Sequence, residues 1–187
     1  MSTLKVDTIL KRTGTGTITV GQSGDTISIP SGATLSNQGT TVPTAFGKIG
    51  QVVTVHTENF NFSTTSTSYV DTGTSCSITP TATTSKIFVN FSSTAGGQRT
   101  GAENDNNFML TRDDGSTILT EKRIENYDYG SSGTLIRTSF VFQYLDSPST
   151  TSAITYKIFA KKNNSTNAQV GQSSNNDTNW TLLEVLA

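Results

Sequence analysis

Alternation of apolar and polar residues with a period of two, in runs broken by Gly, Asn, Ser or Pro, constrains this chain more than any other feature. Lys86-Ile87-Phe88-Val89-Asn90-Phe91 and Ile154-Thr155-Tyr156-Lys157-Ile158-Phe159-Ala160 are typical runs. Successive side chains of an extended strand point to opposite faces, so such a run buries one face and wets the other. No window of about 11 residues carries apolar positions at helical spacing, which sets long amphipathic helices aside. Composition agrees, since 72 of the 187 residues are Thr, Ser or Asn and 16 more are Gly. β-branched Thr fits a pleated sheet, while Ser, Asn and Gly compete with or loosen the helical backbone.

From residue 49 onward the pattern predicts eight strands, at 51–55, 75–79, 86–91, 107–112, 117–119, 134–145, 154–160 and 180–186. Asp113-Asp114-Gly115-Ser116 supplies hairpin chemistry between the fourth and fifth. Eight short strands joined by Gly-, Asn- and Ser-rich loops predict an all-β chain, a jelly-roll-like antiparallel β-sandwich over 49–187. Residues 1–48 read differently. They carry one aromatic, Phe46, and short couplets such as Thr17-Ile18-Thr19-Val20 and Thr26-Ile27-Ser28-Ile29 separated by Gly. Rungs so short cannot bury a core alone, so Leu4, Val6, Ile9, Ile18, Val20, Ile27, Ile29 and Leu35 are expected to pack against copies of themselves in a short trimeric shaft, or against another protein. A flexible polar linker is the alternative reading of the same segment.

Charge excludes several functions. Asp, Glu, Lys and Arg make up 14% of the chain and the formal net charge is −1. No basic run exceeds Lys161-Lys162, which argues against a phosphate-neutralising nucleic-acid surface. No apolar run approaches the ~20 residues of a membrane span, and the N-terminus lacks the apolar core of a signal peptide, so no membrane insertion is expected and synthesis in a cytoplasm is. The six Asn-X-Ser/Thr sequons are then products of composition. The lone Cys76 excludes an intrachain disulfide.

Signatures of catalysis are sparse. His56 is the only histidine, in a strand where it falls on the polar face, and Cys76 between Ser75 and Ser77 reads as a small buried residue. Glu103-Asn104-Asp105-Asn106-Asn107 and Asn175-Asn176-Asp177 carry oxygen ligands but lack the spacing of a calcium loop, so solvated turns are expected. No catalytic residue, metal or cofactor is assigned.

The opening Met1-Ser2-Thr3-Leu4-Lys5-Val6-Asp7-Thr8-Ile9, with Ile18 to Ala33, resembles the start of virion structural and fibre-like proteins of marine tailed bacteriophages, cyanophages in particular. Thr67 to Gly73, Ile78-Thr79-Pro80, Ser85-Lys86-Ile87, Phe142 to Pro148, Thr155-Tyr156-Lys157 and Trp180 to Val185 resemble the C-terminal sandwich domains of phage fibres. The resemblance implies a homotrimer resident in the virion, docked to tail or capsid proteins through residues 1–48, and it carries no catalytic residues.

Within that family three roles are open. In a tail-fibre role, loops at 96–107, 125–130 and 163–179 would touch a host-surface glycan, with Tyr127 and Tyr129 stacking on sugar faces and Arg99, Asn104 and Asp105 bonding hydroxyls; strand-edge packing is the other reading of those tyrosines. A capsid decoration protein or head fibre would clip to capsomers through the N-terminal segment. A depolymerase using carboxylates at a trimer interface is the third, for which no motif speaks.

Overall fold

The computed structural model describes residues 24, 26, 49–99, 101, 103–127, 134–171 and 176–186. The ten strands among the described residues lie in the second of the two units into which the chain divides, Thr44–Ala187. They are β1 (Ile49–Thr57), β2 (Asn61–Thr64), β3 (Val70–Ile78), β4 (Lys86–Gln98), β5 (Glu103–Arg112), β6 (Thr117–Tyr127), β7 (Leu135–Asp146), β8 (Ile154–Lys162), β9 (Ala168–Gly171) and β10 (Thr178–Val185). The eight apolar positions between Leu4 and Leu35 assigned to trimerisation and docking, and Tyr129, lie outside the described residues.

Two antiparallel sheets form. β4 is the hub of the first: one edge pairs with β7 from Ile87 to Gln98, and the other pairs with β10 along Lys86–Ser92 and with β9 at Ala95 and Gly96. β1 flanks β10, and β2 flanks β9. The second sheet runs β3-β8-β5-β6. With the four-residue pair β2 and β9 set apart, the orders β1-β10-β4-β7 and β3-β8-β5-β6 are those of a jelly roll, in which the first and last strands are neighbours. The expected sandwich is therefore present, with two short strands that sequence periodicity missed. Four polar-rich residues such as Asn61-Phe62-Ser63-Thr64 show one cycle of alternation, too little to separate from a loop.

Alternation places the core. Ile87, Val89, Phe91 and Ala95 of β4, Phe140 and Phe142 of β7, and Trp180 and Leu182 of β10 point inward from one sheet. Phe108 and Leu110 of β5 and Tyr156, Ile158 and Ala160 of β8 meet them from the other. The aromatic rings form a connected series, with centroids 4.6 Å apart for Phe91–Trp180, 4.9 Å for Phe108–Phe140 and 4.8 Å for Phe140–Phe142. Such pairs contribute about 0.5–1.5 kcal/mol each beyond their burial. The Trp180 indole N–H donates across the sandwich to Thr74 Oγ1 at 2.8 Å, so even its polar atom is satisfied.

Two buried charges sit among these residues. Asp146 accepts two bonds from Arg112 Nη1, at 2.9 and 3.0 Å, and one from the Tyr156 hydroxyl at 2.8 Å. Glu184, fully buried on β10, accepts from the Thr81 amide at 2.6 Å, the Thr81 hydroxyl at 2.7 Å and Gln51 Nε2 at 2.7 Å. It ties the chain after β3 to β1 and β10. The predicted β5–β6 hairpin turn is present, with Asp113, Asp114 and Gly115 all at positive φ and the Ser116 amide donating to the Asp113 carbonyl at 3.1 Å.

Candidate recognition surface

The described parts of three segments singled out in the sequence, 96–99 with 103–107, 125–127 and 163–167, come together at one end of the sandwich, and paired strands rather than loops supply most of them. β4 continues past the predicted 86–91 to Gln98, and β5 begins at Glu103, so most of 96–107 is paired backbone. Two glycines make that extension possible. A Cβ on Gly96 would lie 2.0 Å from the Ile136 carbonyl oxygen, and one on Gly97 1.9 Å from that of Asn167. Only a residue without a side chain lets β4 pass between β7 and the 163–167 segment.

Beneath the surface a polar network fixes this end. Asn104 Nδ2 donates to the Gly97 carbonyl at 2.7 Å and to that of Ile136 at 3.3 Å, while its Oδ1 accepts from Asn106 Nδ2 at 2.7 Å. The Ser165 hydroxyl lies 2.6 Å from Asn106 Oδ1 and 3.1 Å from the Asn167 carbonyl. Arg99 is buried as well, donating from Nη2 to the Gly101 carbonyl at 2.8 Å, and its amide bonds the Thr134 carbonyl at 3.0 Å. Buried amides paired in this way hold three strands, β4, β5 and β7, and a connecting segment in one arrangement.

A second series runs outward from this network. Asp105, on the outer face of the β3-β8-β5-β6 sheet, receives a two-pronged bond from Arg123, with Nε at 2.7 Å and Nη2 at 2.6 Å. Asn163 Nδ2 bonds the same carboxylate, and the Asn163 amide donates to the Asp105 carbonyl at 3.0 Å. The Arg123 bond holds the Asp105 carboxyl below the usual range against the opposing effect of burial, and Asn163 adds to it. Arg123 Nη2 also reaches Glu125 Oε1 at 3.0 Å, and Glu125 in turn accepts from the Tyr127 hydroxyl, a bond that raises the phenol's pKa. Tyr127 is 62% exposed. Next to this series Asn164 donates to Glu103.

These positions correct part of the sequence reading. Arg99, Asn104 and Asp105 were expected to bond a ligand's hydroxyls, yet all three are buried and engaged with the protein itself. They fix the platform, and Tyr127 is the aromatic it presents. Arg123 escaped singling out, and Glu103 and Glu125 were named only within wider segments, although the alternation Glu121, Arg123, Glu125, Tyr127 puts one charged and aromatic row on a single face of a strand.

The remaining candidates have plain surroundings. His56 Nδ1 lies 2.7 Å from Asn179 Oδ1 and Nε2 3.5 Å from Asp177 Oδ2, all at the surface. Cys76 is buried, and burial pushes its thiol up to about 11. Among the described residues no group of three or more His, Cys, Asp or Glu is placed to hold a metal ion, and no helix is long and apolar enough to cross a membrane.

No protein-family model and no curated protein matches the chain. Eighteen solved chains match in structure. Among them is the VP2 subviral particle of infectious bursal disease virus, at 13% identity and a TM-score of 0.38, covering 73% of this chain and 32% of that one. The Gt strain of the same virus gives 13% identity and a TM-score of 0.35 over 73% of this chain and 38% of that one. Its T13 viral particle gives 13% and 0.33 over 73% and 36%. The chain spans about a third of the length of these proteins, and at these scores the likeness assigns it neither an activity nor a partner.

Proposed function

We propose that this chain is a structural component of a bacteriophage virion, made in the host cytoplasm and assembled as a tail-fibre-like homotrimer that attaches to a host-surface glycan. The observation that carries the reading is the Asp105–Arg123–Glu125–Tyr127 series, in which a buried carboxylate orients an arginine, the arginine a glutamate, and the glutamate an exposed phenol. Glycan recognition uses an aromatic face for the apolar side of the sugar ring and fixed acceptors and amides around it for the hydroxyls. Tyr127 supplies the first, and Glu103, Glu125, Asn163 and Asn164 supply the second. A platform ordered beforehand loses little entropy on binding, and three copies joined through residues 1–48 would turn a weak contact into strong avidity.

Binding of the purified full-length protein to host cells tests this. Tyr127→Ala is expected to reduce adsorption at least tenfold while the fold is unchanged. Adsorption equal to wild type would reject Tyr127 as the recognition residue.

A capsid decoration protein or head fibre is the second reading, and one observation favours it. On the outer face of the β1-β10-β4-β7 sheet, Val52, Leu183, Phe88 and Leu145 stand opposite one another in register across four strands. The next row is Thr54, Thr181, Asn90 and Gln143, so both rows are free of charge. Such a face suits burial against another virion protein. Particles lacking the chain would then lose resistance to heat and low salt yet still adsorb; normal resistance would count against this role.

A further inference from the structure

Every long strand edge described in the sandwich carries a device against pairing with other chains, except one. β6 displays Glu121, Lys122, Arg123 and Glu125. On β7 the Lys122 ammonium of β6 occupies the Val141 carbonyl. β3 carries Asp71 and is broken between Asp71 and Ser75, with Gly73 at φ +82°. β2 is four residues long. Charge, irregularity and shortness are the usual protections of an edge strand.

β1 has nine residues, Ile49-Gly50-Gln51-Val52-Val53-Thr54-Val55-His56-Thr57, with no Asp, Glu, Lys, Arg or Pro. Its single irregularity falls at the start, between Ile49 and Gln51, which leaves Gln51–Thr57 regular. β10 pairs one edge, and among the described residues no strand pairs the other. Val52 is 57% exposed, and Val55 is also exposed.

We infer that this edge joins two copies of the chain, β1 against β1, antiparallel and centred on Val53. The occupant follows from the edges themselves. Pairing β1 with a different edge of a second copy would need another long unprotected strand, and the described edges offer none. An antiparallel pair of identical strands has two-fold symmetry and presents the same surface from both sides. Centred on Val53, it sets Val53 beside Val53, Val52 beside Thr54, Gln51 beside Val55 and Gly50 beside His56, so no like charges meet and every opposed pair lies on one face of the joined sheet. The two β1-β10-β4-β7 sheets become one, and the apolar row that begins at Val52 continues to the seam. The contact is separate from the trimer proposed above and stands or falls without it.

Cysteine cross-linking of the full-length protein reads this register directly. Directly opposed residues of an antiparallel pair lie about 4.5–5.5 Å apart between Cα atoms, within disulfide reach, whereas residues offset by two lie at about 7–8 Å. Under mild oxidation with air and copper, Val53→Cys is expected to run mostly as a covalent dimer on a non-reducing gel. Thr54→Cys is expected to give at least tenfold less, and the wild type, with Cys76 buried, none. Adding Val52→Lys and Thr54→Lys to Val53→Cys sets like charges opposite each other and should cut cross-linking at least tenfold; Val52→Lys with Thr54→Glu should restore it. Folding of each variant is followed by Trp180 fluorescence. A folded Val53→Cys chain that stays uncross-linked, equal yields at 53 and 54, or charge variants that behave alike would each overturn the inference.

Discussion

Replacing Glu184 by Gln tests how the sandwich tolerates a buried carboxylate held by hydroxyl and amide donors. Burial works to raise the pKa of this group, but the neighbouring Ser85 hydroxyl, the Thr81 amide and hydroxyl and the Gln51 amide outweigh it and hold the carboxyl at about 2, against an ordinary 4.5. A displacement of that size corresponds to a ceiling of about 3 kcal/mol at neutral pH. Gln keeps the shape and one acceptor, so the Thr81 bonds survive in weakened, uncharged form. Its NH2 then faces the NH2 of Gln51, which cannot turn over without losing its 2.7 Å bond to the Thr79 carbonyl. The expected cost is about 2 kcal/mol at pH 7. Because the folded-state pKa lies below the unfolded one, the native group's contribution is whole above about pH 4.5 and is lost as the pH falls toward about 2. Urea unfolding of both proteins, followed by the single buried Trp180 at fixed protein concentration, should show a stability gap near 2 kcal/mol at pH 7 that closes toward pH 2.5. A gap that stays constant over that range, or no gap at pH 7, would refute the reasoning.

Three further outcomes follow from the same geometry. Gly97→Ala drives a Cβ to 1.9 Å from the Asn167 carbonyl oxygen, and thermal unfolding should register a loss of about 1–3 kcal/mol or failure to fold; an unchanged midpoint would mean that the 163–167 segment yields freely. Arg112→Ala leaves Asp146 buried with only the Tyr156 hydroxyl, and should cost about 3–5 kcal/mol by denaturant unfolding, whereas Tyr156→Phe should cost nearer 1 kcal/mol. Arg123→Ala frees Glu125 and Tyr127 from their common anchor and strips Asp105 of its main partner, so the titration midpoint of Asp105, read by NMR, should rise.

Where a side chain's role follows from alternation, the sequence was legible. Period two placed Ile87, Val89 and Phe91 inward and Phe88 and Asn90 outward, and it put His56 on the polar face of its strand. Turn chemistry located the 113–116 hairpin because Gly115 needs positive φ. What failed had a common physical cause. Polar residues at 103–107 read as a solvated loop because local pattern cannot show that Ile136 and Asn163, distant in sequence, supply partners for a buried amide and a carboxylate. Glycines at 96 and 97 read as the start of a loop, whereas close approach by two neighbouring carbonyls is what requires them. Tyr127 was legible as an aromatic of the 125–130 segment, but the arginine and glutamate that orient it became visible only once β5 and β6 were paired.

The central claim is a place in a virion, and labelling intact particles tests it most directly. Gold-conjugated antibody raised against residues 49–187 would be applied to purified phage and imaged by electron microscopy. The account predicts gold at the tail. Gold over the head would transfer the role to capsid decoration, and particles that carry no label anywhere would contradict the virion assignment itself.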